Sequence, residues 1–184
     1  MNERNLVDVE TEKHPKALVL LSGGLDSTLA TKLVIDQGIE VEAVSFITPF
    51  STQNEKIVDR FCKELGIKVH KVFLDEEFLR LVINPTHGYG SQMNPCIDCR
   101  IHMLKKAWEI AEKVGASFLV TGEVLNERPF SQRKDSLFLI EKEAGLFGKI
   151  LRPLSAKRLP ETEPEKLGLI QREKLLDIEG RRRL

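Results

Sequence analysis

The 184-residue chain has few cysteines, no long apolar run and no excess of charge of either sign. Three cysteines, an odd number, argue against a disulfide scaffold and favour a reducing compartment, so we expect the cytoplasm. No apolar stretch is long enough to cross a membrane, and residues 1–16 are too polar for a signal peptide. Because 28 basic residues balance 28 acidic ones, no overall field attracts nucleic acid. RNA binding must therefore come from local patches or from another chain.

Two common phosphate-binding motifs are also missing. The glycine-rich stretch at residues 22–27, Ser-Gly-Gly-Leu-Asp-Ser, lacks the Gly-Lys-Ser/Thr ending of a Walker loop. It also lacks the third glycine of the dinucleotide fingerprint. It nevertheless follows an apolar run at residues 17–21 and precedes a helical pattern. This order predicts a phosphate site in which the turn's backbone N–H groups and the positive end of the helix face the anion.

Each polar or small residue of this stretch has an expected task. Gly23 and Gly24 allow a tight turn and the close approach of an anion. Ser22 and Ser27 offer hydroxyl donors. A carboxylate does not bind phosphate directly, so Asp26 is expected to hold Mg²⁺ or a bridging water. An ordinary glycine-rich turn between a strand and a helix is the alternative interpretation.

Apolar runs alternate with helical patterns, which predicts an α/β fold with a doubly wound, mostly parallel five-stranded sheet. Strands are expected at residues 17–21, 41–47, 68–74, 117–121 and 149–154. Helices are expected at residues 27–37, 52–65, 96–114 and 131–143. Ligands of such a sheet bind beyond the carboxyl ends of the strands. Phe46, which could pack against an adenine ring, and Gly122 are expected there as ATP-binding residues.

The chain divides by composition into three parts. Residues 1–15 are expected to form an N-terminal extension, and residues 16–155 the main domain, which contains the phosphate site. Residues 84–95 are rich in Gly, Pro, Asn and Ser, which predicts a mobile loop. Residues 156–184 turn polar and are expected to form a tail, with a short helix near 171–178 and a basic end.

A pair of cysteines is the second strong signal. Asn94 is a good helix cap and Pro95 suits the first helical position, so Cys96 and Cys99 are expected on one face of a first helical turn. A helix N-terminus lowers the pKa of a thiol, and the charge of Arg100 would add to this effect. Two thiols at this spacing can hold a persulfide, close a disulfide or bind a metal. Two apolar cysteines at a helix start are the alternative.

Three chemistries stay open for these thiols. Persulfide transfer would use Cys96 and Cys99 alone. An iron–sulfur cluster would need a third cysteine, for which only Cys62 is available. Zinc would add His87 or His102, the second of which lies one helical turn after Cys99.

Taken together, the two motifs resemble those of the PP-loop ATP pyrophosphatases, the adenine nucleotide alpha hydrolase type, and above all the 2-thiouridine and 4-thiouridine synthase-like tRNA-thiolating enzymes. The resemblance covers residues 16–157. It rests on the loop at 22–27, the Asn-Pro before Cys99, Thr-Gly-Glu at 121–123 in place of a family Thr-Gly-His, and Arg-Pro-Leu at 152–154. In that family a distant downstream cysteine completes the catalytic pair. None follows Cys99 here, so Cys96 is expected as its partner.

The resemblance implies ATP-dependent thiolation of a tRNA uridine. A base carbonyl is adenylated with release of pyrophosphate, and sulfur is then transferred from a cysteine persulfide or a metal-bound sulfur. It implies Cys99, Cys96 and Asp26 as catalytic residues, with ATP and Mg²⁺. The implied partners are tRNA, a sulfur-donor protein and either a separate RNA-binding chain or a second copy. RNA contacts are expected from a local basic set, namely Arg100, Arg128, Arg133 and Lys134.

Two other functions fit the same motifs. One is a PP-loop enzyme that adenylates its substrate to form an amide or to thiolate a small molecule. The other is a non-catalytic module that binds ATP for regulation. Replacing Cys99 by Ser separates sulfur chemistry from the first alternative, and pyrophosphate release in the presence of tRNA separates it from the second.

Overall fold

The computed structural model describes residues 15–47, 55–74, 76–90 and 95–181. Within them, five parallel strands form one sheet in the order β3-β2-β1-β4-β5. The strands are β1 (Lys16–Leu20), β2 (Glu40–Ile47), β3 (Val69–Phe73), β4 (Phe118–Thr121) and β5 (Ile150–Leu151). This arrangement confirms the predicted α/β fold. The strand order reverses between β1 and β4, which is where doubly wound sheets bind ligands.

Helices cover both faces of this sheet. They are α1 (Leu25–Ile35), α2 (Glu55–Leu65), α3 (Glu76–Ile83), α4 (Cys96–Val114), α5 (Lys134–Ala144) and α6 (Glu163–Lys166). The central strand β1 is apolar on both sides, as a strand between two helical layers must be. Its residues Ala17 and Val19 pack with α1, whereas Leu18 and Leu20 pack with α4. The two layers therefore have separate cores.

The four helices predicted within residues 16–155 are present, and α4 has the expected ends. Helix α1 begins two residues earlier than expected because Gly24 takes the N-cap position. Helix α5 begins only at Lys134, because the backbone of Gln132 is already bonded within the preceding loop. Helix α3 was not predicted, and β5 is shorter than expected. Residues 52–54 of the second predicted helix lie outside the described residues.

Residues 156–181, expected as a tail, pack into the core of the sheet. Ile170 and Leu175 are 2% and 1% exposed and lie in the same apolar cluster as Val19 and Val34. The helix expected at 171–178 is wrong: only a three-residue 3-10 turn (Arg172–Lys174) forms there. The chain then runs extended because the N–H groups of residues 176 and 178 donate to the carbonyls of residues 153 and 154.

Candidate active site at the carboxyl ends of β1 and β4

A cavity of about 390 Å³ opens where β1 and β4 end, at the reversal of strand order. Its size is in the range of small-molecule sites. Among its lining residues are six of the seven predicted ATP-binding positions, namely Ser22, Gly24, Asp26, Ser27, Phe46 and Gly122. Gly23 belongs to the same turn but does not line the cavity. The structure thus brings together residues that lie about a hundred positions apart in the chain.

Hydroxyl groups hold the turn between β1 and α1. The Oγ atoms of Ser22 and Ser27 are 3.1 Å apart, and Ser27 Oγ donates to the carbonyl of Gly24 at 3.0 Å. Gly23 has a φ of 77°, a left-handed value that favours glycine. Gly24 has a φ of −80°, and an added Cβ would meet its nearest atom at 3.6 Å. The backbone conformation of the turn thus requires a glycine only at Gly23, whereas Gly24 has an ordinary conformation.

Gly122, directly after β4, touches the first turn of α1. A Cβ at this position would lie 2.5 Å from the backbone nitrogen of Ser27 and 2.6 Å from the carbonyl carbon of Asp26. Both are backbone atoms that cannot move aside. A glycine is required here because two chain segments that line the cavity meet without space for a side chain.

A buried network of charges, which the sequence analysis missed, adjoins the cavity, and its member Glu123 is one of the lining residues. Glu123 is 3% exposed and accepts a hydrogen bond from Arg152 Nε at 3.0 Å, while Arg152 also pairs with Glu141. The Nε of Arg100 lies 3.0 Å from the other oxygen of Glu123. Burial alone raises the pKa of Glu123, but the two arginine charges outweigh it and hold that pKa below its ordinary value.

The predicted cysteine pair lies in the first turn of α4. The N-cap is Pro95, so the proline is one position earlier than expected, and Asn94 lies outside the described residues. Cys99 Sγ is 3.6 Å from the sulfur of Met103, and Met103 lines the cavity. Cys96 and Cys99 do not line it themselves. The thiol of Cys99 is therefore one side chain away from the cavity.

The ionisation expected for both thiols is not found at Cys99. Burial raises the pKa of the Cys99 thiol above its ordinary value, and the charge of Arg100 only partly offsets this effect. The expectation of a pKa lowered by the helix N-terminus is thus wrong for Cys99. Desolvation is the largest effect on this pKa, and the nearby Cys96 and Asp98 raise it further.

Neither expected metal site is assembled. Cys62 is buried with Leu21 and Val58 under α2, on the sheet face opposite the helix that carries Cys99. Nowhere in residues 15–47, 55–74, 76–90 and 95–181 do three His, Cys, Asp or Glu side chains converge to hold a metal ion. His102, on α4, is buried and belongs to no such group. The residues present do not fit an iron–sulfur or zinc centre.

His87, the other zinc candidate, is engaged elsewhere. Its Nδ1 lies 3.0 Å from Asp98 and its Nε2 lies 3.0 Å from Glu143. Asp98 also accepts the backbone N–H groups of Thr86 and His87 at 3.1 and 3.0 Å. Although burial lowers the pKa of His87, the two carboxylates outweigh it and raise the pKa above its ordinary value. These bonds fix residues 86–87, part of the loop expected to be mobile, to the start of α4.

The four basic residues predicted for RNA contacts separate into two pairs. Arg100 and Arg128 line the cavity. Arg133 and Lys134 are exposed at the start of α5 and do not line it, and Arg133 Nε lies 3.4 Å from Asp135. Of the expected basic set, only Arg100 and Arg128 therefore border the cavity, and the role of the set in RNA contacts stays a prediction. No helix among the described residues is both long and apolar enough to cross a membrane.

A doubly wound parallel sheet whose first strand leads into this Ser-Gly-Gly-Leu-Asp-Ser turn defines a nucleotide-binding protein of the PP-loop class. More narrowly, the chain belongs to the ThiI family, described as "Thiamine biosynthesis protein (ThiI)", whose model matches residues 13–158. The matched region contains the whole sheet and both motifs.

Similar proteins point the same way. The chain is 31% identical over 183 residues to "tRNA-specific 2-thiouridylase MnmA" of Syntrophotalea carbinolica, covering 86% of this chain and 52% of that protein. It is 36% identical over 147 residues to a "Probable tRNA sulfurtransferase" of Caldanaerobacter subterraneus, covering 76% of this chain and 36% of that protein. The chain thus spans about half the length, or less, of these relatives.

A solved structure shares the fold. It is described as a predicted subunit of tRNA methyltransferase from Methanocaldococcus jannaschii, with a TM-score of 0.54 and 18% identity, covering 76% of this chain and 67% of that chain. This likeness supports the sheet topology.

Proposed function

We propose that the chain is the ATP-binding and thiol-bearing part of an ATP-dependent sulfurtransferase that thiolates a uridine of tRNA. One observation carries the proposal. The cavity is lined both by the Ser22–Ser27 turn and by Arg100 and Met103 of α4, and the sulfur of Met103 lies 3.6 Å from the Cys99 thiol. Relatives named tRNA sulfurtransferase and tRNA 2-thiouridylase support the same assignment.

The first step proposed is adenylation. The cavity volume and the hydroxyl-lined turn suit a nucleotide triphosphate, whose charge faces the N-terminus of α1. Asp26 lines the cavity and would hold Mg²⁺, which when bound offsets the charge of the phosphates. A uridine carbonyl oxygen attacks the α-phosphate, and pyrophosphate leaves. The base is then activated by an AMP leaving group.

The second step proposed is sulfur transfer. A sulfur-donor protein leaves a persulfide on Cys99, and its terminal sulfur attacks the activated carbon as AMP departs. The thiol of Cys96 then attacks the sulfur of Cys99. A Cys96–Cys99 disulfide forms, the sulfur bound to the base is released as a thiocarbonyl, and an external thiol reduces the disulfide for the next cycle. Loading requires the Cys99 thiolate to attack the outer sulfur of the donor's persulfide, and the donor's thiol is the leaving group.

The proposal is tested with the purified chain, ATP, bulk tRNA and a persulfide-donating protein. We expect mass spectrometry of the tRNA nucleosides to show a thiouridine with the natural chain. Cys99→Ser should lower its yield at least a hundredfold while pyrophosphate release continues. Equal yields from both proteins would contradict the role of Cys99. ATP cleavage that ignores tRNA would favour a small-molecule substrate, and ATP binding without pyrophosphate release would favour a regulatory module.

A further inference from the structure

Arg100 occupies a position at the cavity that the sulfur chemistry does not explain. It follows Cys99 directly on α4 and lines the cavity, and its side chain is 25% exposed. Arg128, the other arginine of the lining, is exposed on a loop. Arg100 is therefore the more enclosed of the two cations in a cavity proposed to take a polyphosphate.

We propose that Arg100 binds a phosphate of the nucleotide and that Glu123 is a positioning residue that holds its guanidinium in place. The inference rests on the proposed use of ATP and adds a phosphate-binding residue outside the glycine-rich turn. The Nε of Arg100 lies 3.0 Å from Glu123 Oε1 in an ion pair whose geometry is not that of a hydrogen bond. A guanidinium carries four more N–H donors on its two terminal nitrogens, in the fork geometry that matches phosphate oxygens.

The buried charge network next to the cavity explains why the side chain of Arg100 stays at the cavity. Glu123, Glu141 and Arg152 are all buried, and together they carry one net negative charge. The positive charge of Arg100 makes this group neutral. Moving its side chain into solvent would leave the buried carboxylates with one negative charge more than the buried arginine balances. A flexible surface arginine would lose side-chain freedom when it bound phosphate. Arg100 has already lost much of it to Glu123, which lowers the entropic cost of binding.

The same charges suggest two variants that distinguish a phosphate-binding role of Arg100 from a purely structural one. Arg100→Gln removes the proposed phosphate donor and also leaves the buried group with a net negative charge. The double variant Arg100→Gln/Glu123→Gln removes both charges and leaves Glu141 paired with Arg152. A purely structural role for Arg100 predicts that the double variant recovers ATP binding. A phosphate-binding role predicts that it recovers stability alone.

The experiment measures ATP affinity by calorimetry and stability by thermal unfolding on the full chain. We expect Arg100→Gln to lower ATP affinity about ten- to a hundredfold and also to lower the melting temperature. In the double variant the melting temperature should rise again while ATP affinity stays low. Arg60→Gln is the matched control, because Arg60 is 82% exposed on α2 and pairs with Glu64 in its own helix. We expect that control to bind ATP like the natural chain.

Three results would overturn the inference. The first is an ATP affinity that is unchanged in Arg100→Gln, and the second is an ATP affinity that recovers in the double variant. The third is a fall in affinity for tRNA measured without ATP, with ATP affinity unchanged, since Arg100 would then contact RNA phosphate. Failure of the natural chain itself to bind ATP would instead contradict the proposed function. The two failures are therefore distinguishable.

Discussion

At the scale of single residues, two glycines of the cavity have different physical roles. Gly122 is required by packing, because its missing side chain lets the end of β4 touch the backbone of Ser27 at the start of α1. Gly24 adopts an ordinary backbone conformation with room for a methyl group. Its lack of a side chain leaves room for a ligand instead.

This difference predicts that a change from Gly to Ala alters the free energy of unfolding at Gly122 but not at Gly24. Gly122→Ala should lower the free energy of unfolding by about 1 to 3 kcal/mol, since the new methyl group meets rigid backbone. It should also weaken ATP binding by displacing α1. Gly24→Ala should leave the free energy of unfolding nearly unchanged but weaken ATP binding. Urea unfolding and calorimetry measure both quantities, and equal destabilisation by the two variants would contradict this reading.

At the scale of single residues, the sequence reveals functional residues only where they form a contiguous pattern. The turn at residues 22–27 and the pair Cys96 and Cys99 are contiguous patterns, so their residue types and spacing are readable directly. Glu123 and Arg152 lie 29 positions apart, and no periodicity links them. Their pairing arises only because β4 and β5 are neighbours in the sheet. A buried ion pair of this kind follows from topology, not from a motif.

At the scale of elements, the loop before α4 is fastened by ionisable groups. His87 lies between Asp98 of α4 and Glu143 of α5. Despite burial, hydrogen bonds from His87 and from backbone N–H groups hold the pKa of Asp98 below its ordinary value. The raised pKa of His87 and the lowered pKa of Asp98 mean that folding favours protonated His87 beside ionised Asp98.

The sign of the resulting pH dependence follows from these directions. A raised pKa of His87 stabilises the fold fully below the ordinary histidine value of 6.5, and this contribution is lost as the pH rises through the raised value. A lowered pKa of Asp98 gives a contribution that is present above 3.8 and lost as the pH falls through the lowered value. The stability gained from this pair is therefore largest between about pH 4 and 6.5.

His87→Gln should thus lower the free energy of unfolding most near pH 5 to 6, and the difference from the natural chain should shrink towards pH 9. Tyr89→Phe is a control in the same loop, because it removes the hydrogen bonds of Tyr89 to the carbonyls of Val82 and Ile83 without removing an imidazole. Its effect should not depend on pH across this range. A His87→Gln effect that is constant with pH would contradict the charged pairing.

The end of the chain shows where element prediction failed. The amphipathic pattern at 171–178 indicated a helix, but Leu176 and Ile178 bond to the backbone of residues 153 and 154 in an extended conformation. The capping box of Thr162 and Glu165, which begins α6, was overlooked in a segment interpreted as a polar tail. Apolar residues in a short segment do not by themselves distinguish a helix from a chain packed on a core.

Burial of this segment predicts a clear contrast between two leucines. Leu175 is 1% exposed in the core beneath α1, whereas Leu167 is 73% exposed. Leu175→Ala should lower the free energy of unfolding by about 2 to 5 kcal/mol, and Leu167→Ala by less than about 0.5 kcal/mol. Urea unfolding of both variants measures this. Equal and small effects would mean that residues 156–181 are not part of the folding unit.

At the scale of the whole molecule, the sheet divides the chain's chemistry between two faces. Alternating apolar runs and helical patterns were enough to predict a parallel α/β fold, because the inner strands of such a sheet are apolar on both sides. They did not reveal on which face each helix packs. That assignment decides which cysteines can act together, because α2 with Cys62 and α4 with Cys96 and Cys99 lie on opposite faces.

This separation predicts that Cys62 has no part in sulfur transfer. Burial raises the pKa of the Cys62 thiol, and its neighbours are the apolar side chains of Leu21, Ala43 and Val58. Cys62→Ala should therefore keep the thiouridine yield within about twofold of the natural chain. Cys96→Ala should instead stop turnover after the first transfer, because no partner thiol remains to release the product. Nucleoside mass spectrometry and iron analysis of anaerobically purified protein measure the two outcomes. If the natural chain contained iron, and Cys62→Ala lost both the iron and the activity, a cluster held by three cysteines would be required. Such a cluster cannot form in this fold, because Cys62 lies on the opposite face of the sheet from Cys96 and Cys99.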